Sequence, residues 1–281
     1  MEALNNILIR RTDQELDLSS RVEETCTDCG EHLYKQYEIF GKKRTVRVMC
    51  KCDIERYNKE QFQSEAMEKQ IRLENLMKNS LMDGKFKSST FENWNFNKGS
   101  KQMYELGKRY VENFKRCKDE GLGLLIYGQP GNGKTYLSSC IANALLTNYI
   151  PIICVSTIGL LSRIQQTYNK WGREAEADVI RGLCNADLLI IDDLGTENFS
   201  DWSKSMVYNI IDSRYRSNLP IIITTNLDVN PEESQEVLTQ LYDKRTEDRI
   251  LEMCTPILNS SRSIRIEEAK KKTELLRNIL Y

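Results

Sequence analysis

The sequence predicts an α/β fold: a parallel sheet with helices on both faces, preceded by a small cysteine-rich, metal-binding N-terminal domain and a linker helix. Three observations predict it. From residue 88 onward, short apolar runs alternate with helix-length segments. A glycine-rich loop joins one such run to a helix. Two tight cysteine pairs fall within residues 1–60.

A chain of 281 residues has the length of about two domains and enough material for a sizeable core. Its 40 Lys and Arg nearly balance its 41 Asp and Glu, so no global field draws it to nucleic acid or an anionic membrane. No apolar run approaches the roughly 20 residues of a membrane helix. The opening MEALNNILIRRTDQELD has early acidic residues and no small-residue cleavage pattern, unlike a signal peptide. The expected location is therefore cytoplasmic, with no membrane partner. The single histidine, His32, makes Ser-His-Asp catalysis or a histidine-rich metal site improbable.

Within residues 1–60, Tyr37 and Ile39 alternate before Phe40-Gly41-Lys42, and Val46 and Val48 alternate after it. That pattern predicts a hairpin. Cys26-x-x-Cys29 and Cys50-x-Cys52 flank it. Two thiolate pairs brought together by a hairpin can close a tetrahedral S₄ site suited to Zn²⁺ or an Fe–S cluster, and His32 could replace one ligand. Such a closed site leaves no position open for chemistry and reads as a staple for a small domain. The other five cysteines (Cys117, Cys140, Cys154, Cys184, Cys254) are scattered and fit small buried hydrophobes. Residues 61–87 follow as a linker helix, with Phe62, Met67, Ile71, Leu73 and Leu76 at roughly helical spacing and an end near Asp83-Gly84.

Residues 88–281 form the α/β domain. Leu124–Tyr127, Ile150–Val155, Leu188–Ile191 and Ile221–Thr225 are its short apolar runs, with helices predicted over 134–148, 157–183 and 202–217. Apolar strands alternating with helices predict a parallel sheet buried on both faces.

Gly128-Gln129-Pro130-Gly131-Asn132-Gly133-Lys134-Thr135 satisfies G-x-x-x-x-G-K-[ST] directly after one strand and before a helix. A glycine-rich turn can match by chance, but that context is the one phosphate binding needs. The glycines let backbone N–H groups and the helix N-terminus point at phosphate. Lys134 would reach the β- and γ-phosphates of ATP, and the Thr135 hydroxyl would ligate Mg²⁺. Leu188-Leu189-Ile190-Ile191 ends in Asp192-Asp193, and ligands bind at that end of a strand in open α/β sheets. Asp192 would hold Mg²⁺, while Asp193 stands where a carboxylate polarises the attacking water. Asn226, after Ile221–Thr225, could orient that water; a turn-forming Asn closing a strand is the plainer reading.

Together GQPGNGKTYL, LLIIDDLGTE, SRY followed by PIIITTN, and RTEDRI resemble the DnaC/DnaI family of replicative helicase loaders and its relative, the IstB transposition helper. FENWNF, residues 91–96, resembles the segment leading into that family's ATPase core. The resemblance covers residues 88–266 and implies the AAA+ form of the P-loop fold. It makes Lys134 and Thr135 the Walker A pair, with Gly128 to Gly133 and Tyr136 in the same nucleotide-binding segment. Asp192 and Asp193 become the Walker B pair and Asn226 the sensor 1 residue. Arg249 matches the arginine finger offered to a neighbouring subunit, with Arg245 next in order; four-residue spacing puts both on one helix face. Surface salt bridges would explain these arginines equally simply. Arg262 matches sensor 2, and Arg265 could serve instead.

The resemblance implies an ATP-dependent loader that binds a replicative hexameric helicase and delivers it onto single-stranded DNA. Asp193 stands where most AAA+ enzymes have Glu, which points to slow, partner-regulated hydrolysis. Only a short basic tail follows residue 266, so a large helical lid is not expected. Self-association through shared ATP sites follows from the finger, and helicase binding falls to the cysteine domain. Single-stranded DNA would meet Arg163, Tyr168, Lys170, Trp171 and Arg173, which mix rings with phosphate partners; an amphipathic helix with a solvated face gives the same pattern. The alternative function is an IstB-like helper that recruits a transposase, against which the cysteine domain argues. A nucleotide kinase lacks a visible phosphate-acceptor site here, and a dead binding module would not keep Lys134, Thr135 and Asp192.

Overall fold

The computed structural model describes residues 23–39, 41–76, 86, 88–170, 172–229 and 237–280. It divides into two units, residues 1–65 and 66–281.

In the first unit, β1 (Tyr34–Ile39) pairs antiparallel with β2 (Lys42–Arg47), Ile39 facing Lys42. A two-residue connection needs left-handed backbone, and Gly41 supplies it at φ +69; Phe40 lies outside the described residues. A helix then runs from Lys51 to Leu76, so it starts within residues 1–60, ahead of the linker expected at 61–87. Its start has local causes. The Asp53 N–H donates to Cys50 Sγ at 3.4 Å, and the Lys51 N–H to Glu31 Oε2 at 2.8 Å. Both satisfy orphan donors of the first turn, and negative charge there suits the helix dipole. The expected end at Asp83-Gly84 lies outside the described residues.

The second unit is built on a five-stranded sheet in the order β4 (Ile152–Ser156), β5 (Leu188–Leu194), β6 (Ile221–Thr225), β3 (Gly123–Tyr127), β7 (Cys254–Leu258). Every pairing is parallel. Strand side chains alternate between faces: Leu125, Ile153, Leu189 and Ile223 enter one core, and Leu124, Ile126, Ile190 and Ile222 the other. Helices Lys101–Glu112 and Lys134–Thr147 cover the second face. Helices Thr157–Lys170, Gly172–Asn185, Asp201–Arg216 and Lys244–Met253 cover the first. The α/β sheet with two covered faces is as expected.

Two details differ. The helix expected over 157–183 is two, with Trp171 between them outside the described residues. The fifth strand, β7, was not legible, because Thr255 and Pro256 break its apolar run; it is an edge strand, where proline is tolerated. The basic tail is a helix, Ile264–Leu280, as its helix-prone composition implies, with no buried residue.

Two polar clusters tie the unit together. Asp187 accepts Lys69 Nζ at 2.6 Å and Lys118 Nζ at 2.8 Å. Burial pushes its carboxyl up, but the hydrogen bonds from Lys118 and Lys69 outweigh this and hold it below the usual range. Arg214 is 0% exposed. Its guanidinium donates to the carbonyls of Leu183 (2.8 Å), Ala186 (3.0 Å) and Pro220 (2.5 Å), joining a helix end to the entry of β6. Among the described residues no helix is long and apolar enough to cross a membrane.

Candidate nucleotide site

The loop between β3 and helix Lys134–Thr147 turns on Gly128, Gly131 and Gly133, at φ +134, +80 and +96. A Cβ on Gly128 would come within 2.5 Å of the Asn259 carbonyl, so this glycine is also required by close approach. Asn132 is buried and braces the loop: its Nδ2 donates to Asn259 O at 2.6 Å, and Asn259 Nδ2 returns a bond to Asn132 O at 3.0 Å. The P-loop is thus buttressed from the end of β7, which the sequence did not reveal. Lys134 Nζ donates to Gly128 O (2.7 Å), Gln129 O (2.9 Å), Asn132 Oδ1 (3.2 Å) and Asn226 Oδ1 (2.8 Å). Burial lowers its pKa, while Asp193 and Asp192 act to raise it.

β6 lies between β3 and β5, so Asn226 meets both the P-loop and the strand-end carboxylates. Thr135 Oγ1 donates to Asp192 Oδ2 at 3.0 Å, and Thr224 Oγ1 to Asp192 Oδ1 at 2.6 Å. Burial raises the Asp192 carboxyl. Asp193 follows at φ +54, inside an irregularity of the β5–β6 register between Ile191 and Leu194. Its N–H donates to Thr224 Oγ1 at 2.9 Å, and Asn226 Nδ2 reaches Asp193 Oδ1 at 3.5 Å. Lys134, Thr135, Asp192, Asp193 and Asn226 therefore converge. Thr224, buried between them, is a participant that the sequence offered only as part of a strand end.

A cleft of about 440 Å³ opens over this cluster, lined by Pro130, Gly131, Gly133, Lys134, Thr135, Tyr136, Asp193, Asn226 and Arg265, among others. A second cleft of about 280 Å³ adjoins it, sharing Asn132, Gly133, Tyr136, Ile264 and Glu268 and adding Trp94 and Asn95. Tyr136 lines both, its hydroxyl donating to Asn93 O at 3.1 Å. Arg265 lines the cleft and Arg262, the residue expected there, does not. The reason is local: the Ile264 N–H donates to Gly131 O at 2.8 Å, which seats Arg265 beside the loop.

The model of the IstB-like ATP-binding proteins matches residues 59–272. The chain belongs to this family. Among its relatives is the replicative helicase loader DnaC of Buchnera aphidicola subsp. Baizongia pistaciae, 29% identical over 178 residues, which are 61% of this chain and 71% of that one. The phage-like element PBSX protein XkdC of Bacillus subtilis is 28% identical over 245 residues, 83% of this chain and 79% of that one. The crystal structure of the DnaC helicase loader superposes with a TM-score of 0.54 at 23% identity, over 63% of this chain and 99% of that chain; at that identity the likeness is one of fold. Kinship with DnaC/DnaI-type AAA+ proteins, expected from the motifs, is thereby shown, and ATP binding is the property for which the family is named.

In this IstB-like chain, Arg249 and Arg245 both lie on helix Lys244–Met253 and face helix Asp201–Arg216. Arg249 Nε stands 2.8 Å from Asp212 Oδ1, misaligned for a hydrogen bond, and its guanidinium stacks 4.1 Å over the Tyr215 ring. Its side chain is 28% exposed. Arg245 is exposed and sits 5.6 Å over Tyr208. Of the DNA candidates, Arg163 lies on helix Thr157–Lys170; Tyr168, Lys170, Trp171 and Arg173 fall outside the residues whose side chains are described.

In the first unit, the Sγ atoms of Cys26, Cys29, Cys50 and Cys52 all lie within 4.8 Å of one another. A tetrahedral zinc site, with Zn–S of about 2.3 Å, has S···S edges of about 3.8 Å, so the four sulfurs fit one ion. The Glu31 backbone lowers the Cys29 thiol to about 7, and Cys29 beside it pushes Cys52 up to about 12. Four thiols so close resist shared ionisation until a cation joins them. Gly30, at φ +73, turns the chain after the first pair, its N–H donating to Cys26 O at 2.8 Å. His32 bridges Thr25 through the backbone and stands outside the cluster, so the four-cysteine set needs no substitute.

Proposed function

We propose that the chain is an ATP-dependent loader that grips a replicative hexameric helicase and delivers it onto single-stranded DNA, with slow, partner-regulated hydrolysis. The observation that carries the ATPase part is the convergence of Lys134 and Thr135 with Asp192, Asp193 and Asn226 at three neighbouring strand ends. The phosphates would lie along the P-loop against Lys134 and Arg265, with the base in the adjoining cleft near Trp94 and Tyr136. Thr135 and Asp192 would hold Mg²⁺, which neutralises phosphate charge when bound. Asp193 would take the proton of the attacking water, oriented by Asn226.

Arg249 is our candidate finger for ATP on a neighbouring subunit. Asp212 and Tyr215 hold its guanidinium in one place, and a finger held in advance loses less entropy in use. The four cysteines would hold zinc as a structural staple for the unit that meets the helicase, residues 1–60 in our division, with 61–87 linking it to the ATPase domain 88–281. Closed tetrahedral coordination contributes folding energy rather than catalysis.

The loading reading is supported by the DnaC relatives; the family's IstB name favours a second reading, recruitment of a transposase. Co-purification with replicative hexameric helicases, with and without ATP, tests the first. ATP-dependent capture of a helicase is the expected result. Failure with helicases, together with ATP-dependent capture of a transposase, would replace it.

A further inference from the structure

One buried acid takes no part in the chemistry above. Glu197 follows the Walker B strand and is 6% exposed. Its two oxygens accept from neutral donors: Oε2 from the Gly195 N–H at 3.0 Å, Oε1 from the Tyr242 hydroxyl in a short hydrogen bond. Among the described residues no cation pairs with Glu197, and burying a carboxylate on neutral donors alone is costly. What the carboxylate supplies is a connection. Gly195, at φ +93, makes the turn that brings Glu197 back under the strand end, and Thr196 Oγ1 donates to Asp193 O at 2.7 Å. On the far side the Tyr242 ring is wedged edge-on against Phe199, centroids 5.6 Å apart. The next residue, Asp243, caps helix Lys244–Met253 by accepting the Thr246 N–H at 2.7 Å. Hydrogen bonds joined by adjoining backbone thus run from the residue that would activate water in one ATP site to the helix carrying Arg249.

We propose that Glu197 is a positioning residue: through Tyr242 it fixes helix Lys244–Met253 to the Walker B strand and so sets where Arg249 stands for ATP held by a neighbouring subunit. The inference rests on the shared-site reading above. Displacement of a catalytic group by about 1 Å can cost about 10²-fold in rate, which is the size of effect expected here. The defect should lie in the arginine a subunit gives away, not in the nucleotide it binds.

Tyr242→Phe removes the hydroxyl and keeps the ring against Phe199. This variant should bind a fluorescent ATP analogue as the wild type does and lose about 10²-fold in ATPase rate. Mixed with Lys134→Ala, which lacks a working P-loop but offers an intact Arg249, it should regain activity, because its own ATP site is whole. Arg249→Ala mixed with Lys134→Ala is the control. Glu197→Gln can still accept from Gly195 and donate to Tyr242, and should behave as wild type. Glu197→Ala should fail like Tyr242→Phe, and carries the same comparison if Tyr242→Phe does not fold. Recovery in the Arg249 control without recovery in the Tyr242 mixture overturns the positioning role. No recovery in either, in mixtures shown to co-assemble, overturns the shared site itself, and the inference with it.

Discussion

Asp193 offers a way to separate chemistry from folding, because its backbone and side chain carry different burdens. Its φ of +54 lies in the left-handed region, where asparagine and aspartate are tolerated and alanine costs about 1 kcal/mol more. Its side chain contributes little to packing, its hydrogen bond from Asn226 Nδ2 being 3.5 Å long. Its N–H bond to Thr224 survives any substitution but proline. Asp193→Asn should therefore melt with the wild type, whereas Asp193→Ala should melt about 2–4 °C lower, the shift that about 1 kcal/mol produces in a domain of this size. Both should keep affinity for an ATP analogue, because Lys134 and Thr135 are untouched. Both should lose about 10²–10⁴-fold in hydrolysis, the usual contribution of a general base. Phosphate release under saturating Mg·ATP, paired with differential scanning calorimetry, reads both effects. Wild-type turnover by Asp193→Asn would refute the assignment of the base. Equal melting of the Asn and Ala variants would refute the backbone argument and leave the catalytic one standing.

Other predictions concern neighbouring features. Arg265→Ala should weaken ATP-analogue binding severalfold while Arg262→Ala leaves it unchanged, since of the two only Arg265 lines the cleft; weakening by Arg262→Ala and not by Arg265→Ala in a titration would return the role to Arg262. Purified protein should carry about one metal ion per chain, and Cys26→Ser or Cys52→Ser should release it and loosen the first unit to proteolysis while ATP binding persists. A metal-free protein resistant to protease there would reject the staple. Asp187→Asn should cost about 1–2 kcal/mol, less than a fully buried pair because both lysines are partly exposed. The depressed carboxyl of Asp187 stabilises the fold when ionised, so this difference should be full above about pH 5 and shrink as acid protonates it below about pH 3.9. A difference that persists or grows in acid would contradict the ion-pair account.

What the sequence made legible was whatever a strand or loop presents within its own run of residues. Apolar segments gave four strands, and the glycine spacing placed Lys134 at a helix start. The doublet Asp192-Asp193 sat where β5 ends. Contacts between distant segments were not legible. Nothing in Ser-Ser-Arg-Ser-Ile-Arg distinguishes Arg262 from Arg265 until the Ile264 N–H meets Gly131. Arg214 read as part of a motif, yet its reason for being there is three carbonyls on two other segments. The cysteine pairs were visible as pairs, but their closure depends on a helix whose start, capped by Cys50 and Glu31, weak local propensity did not mark.

The end of β5 also bears on the proposed sharing of the site. One strand end delivers Asp192 to Thr135 and Thr224, and so fixes the cis half of the nucleotide site to the P-loop helix and β6. The turn that follows delivers Glu197 to Tyr242, and so to the helix that carries Arg249. Helix Lys244–Met253 is further held to the sheet by Ile250 and Met253 in the core, and to helix Asp201–Arg216 by Arg249 on Asp212. If the site is shared as proposed, both the half that binds ATP and the half that carries Arg249 are referenced to β5 and the turn that follows it. Packed sheets deform little, so on the proposed reading a displacement at Asp193 would reach Arg249 through this strand and turn.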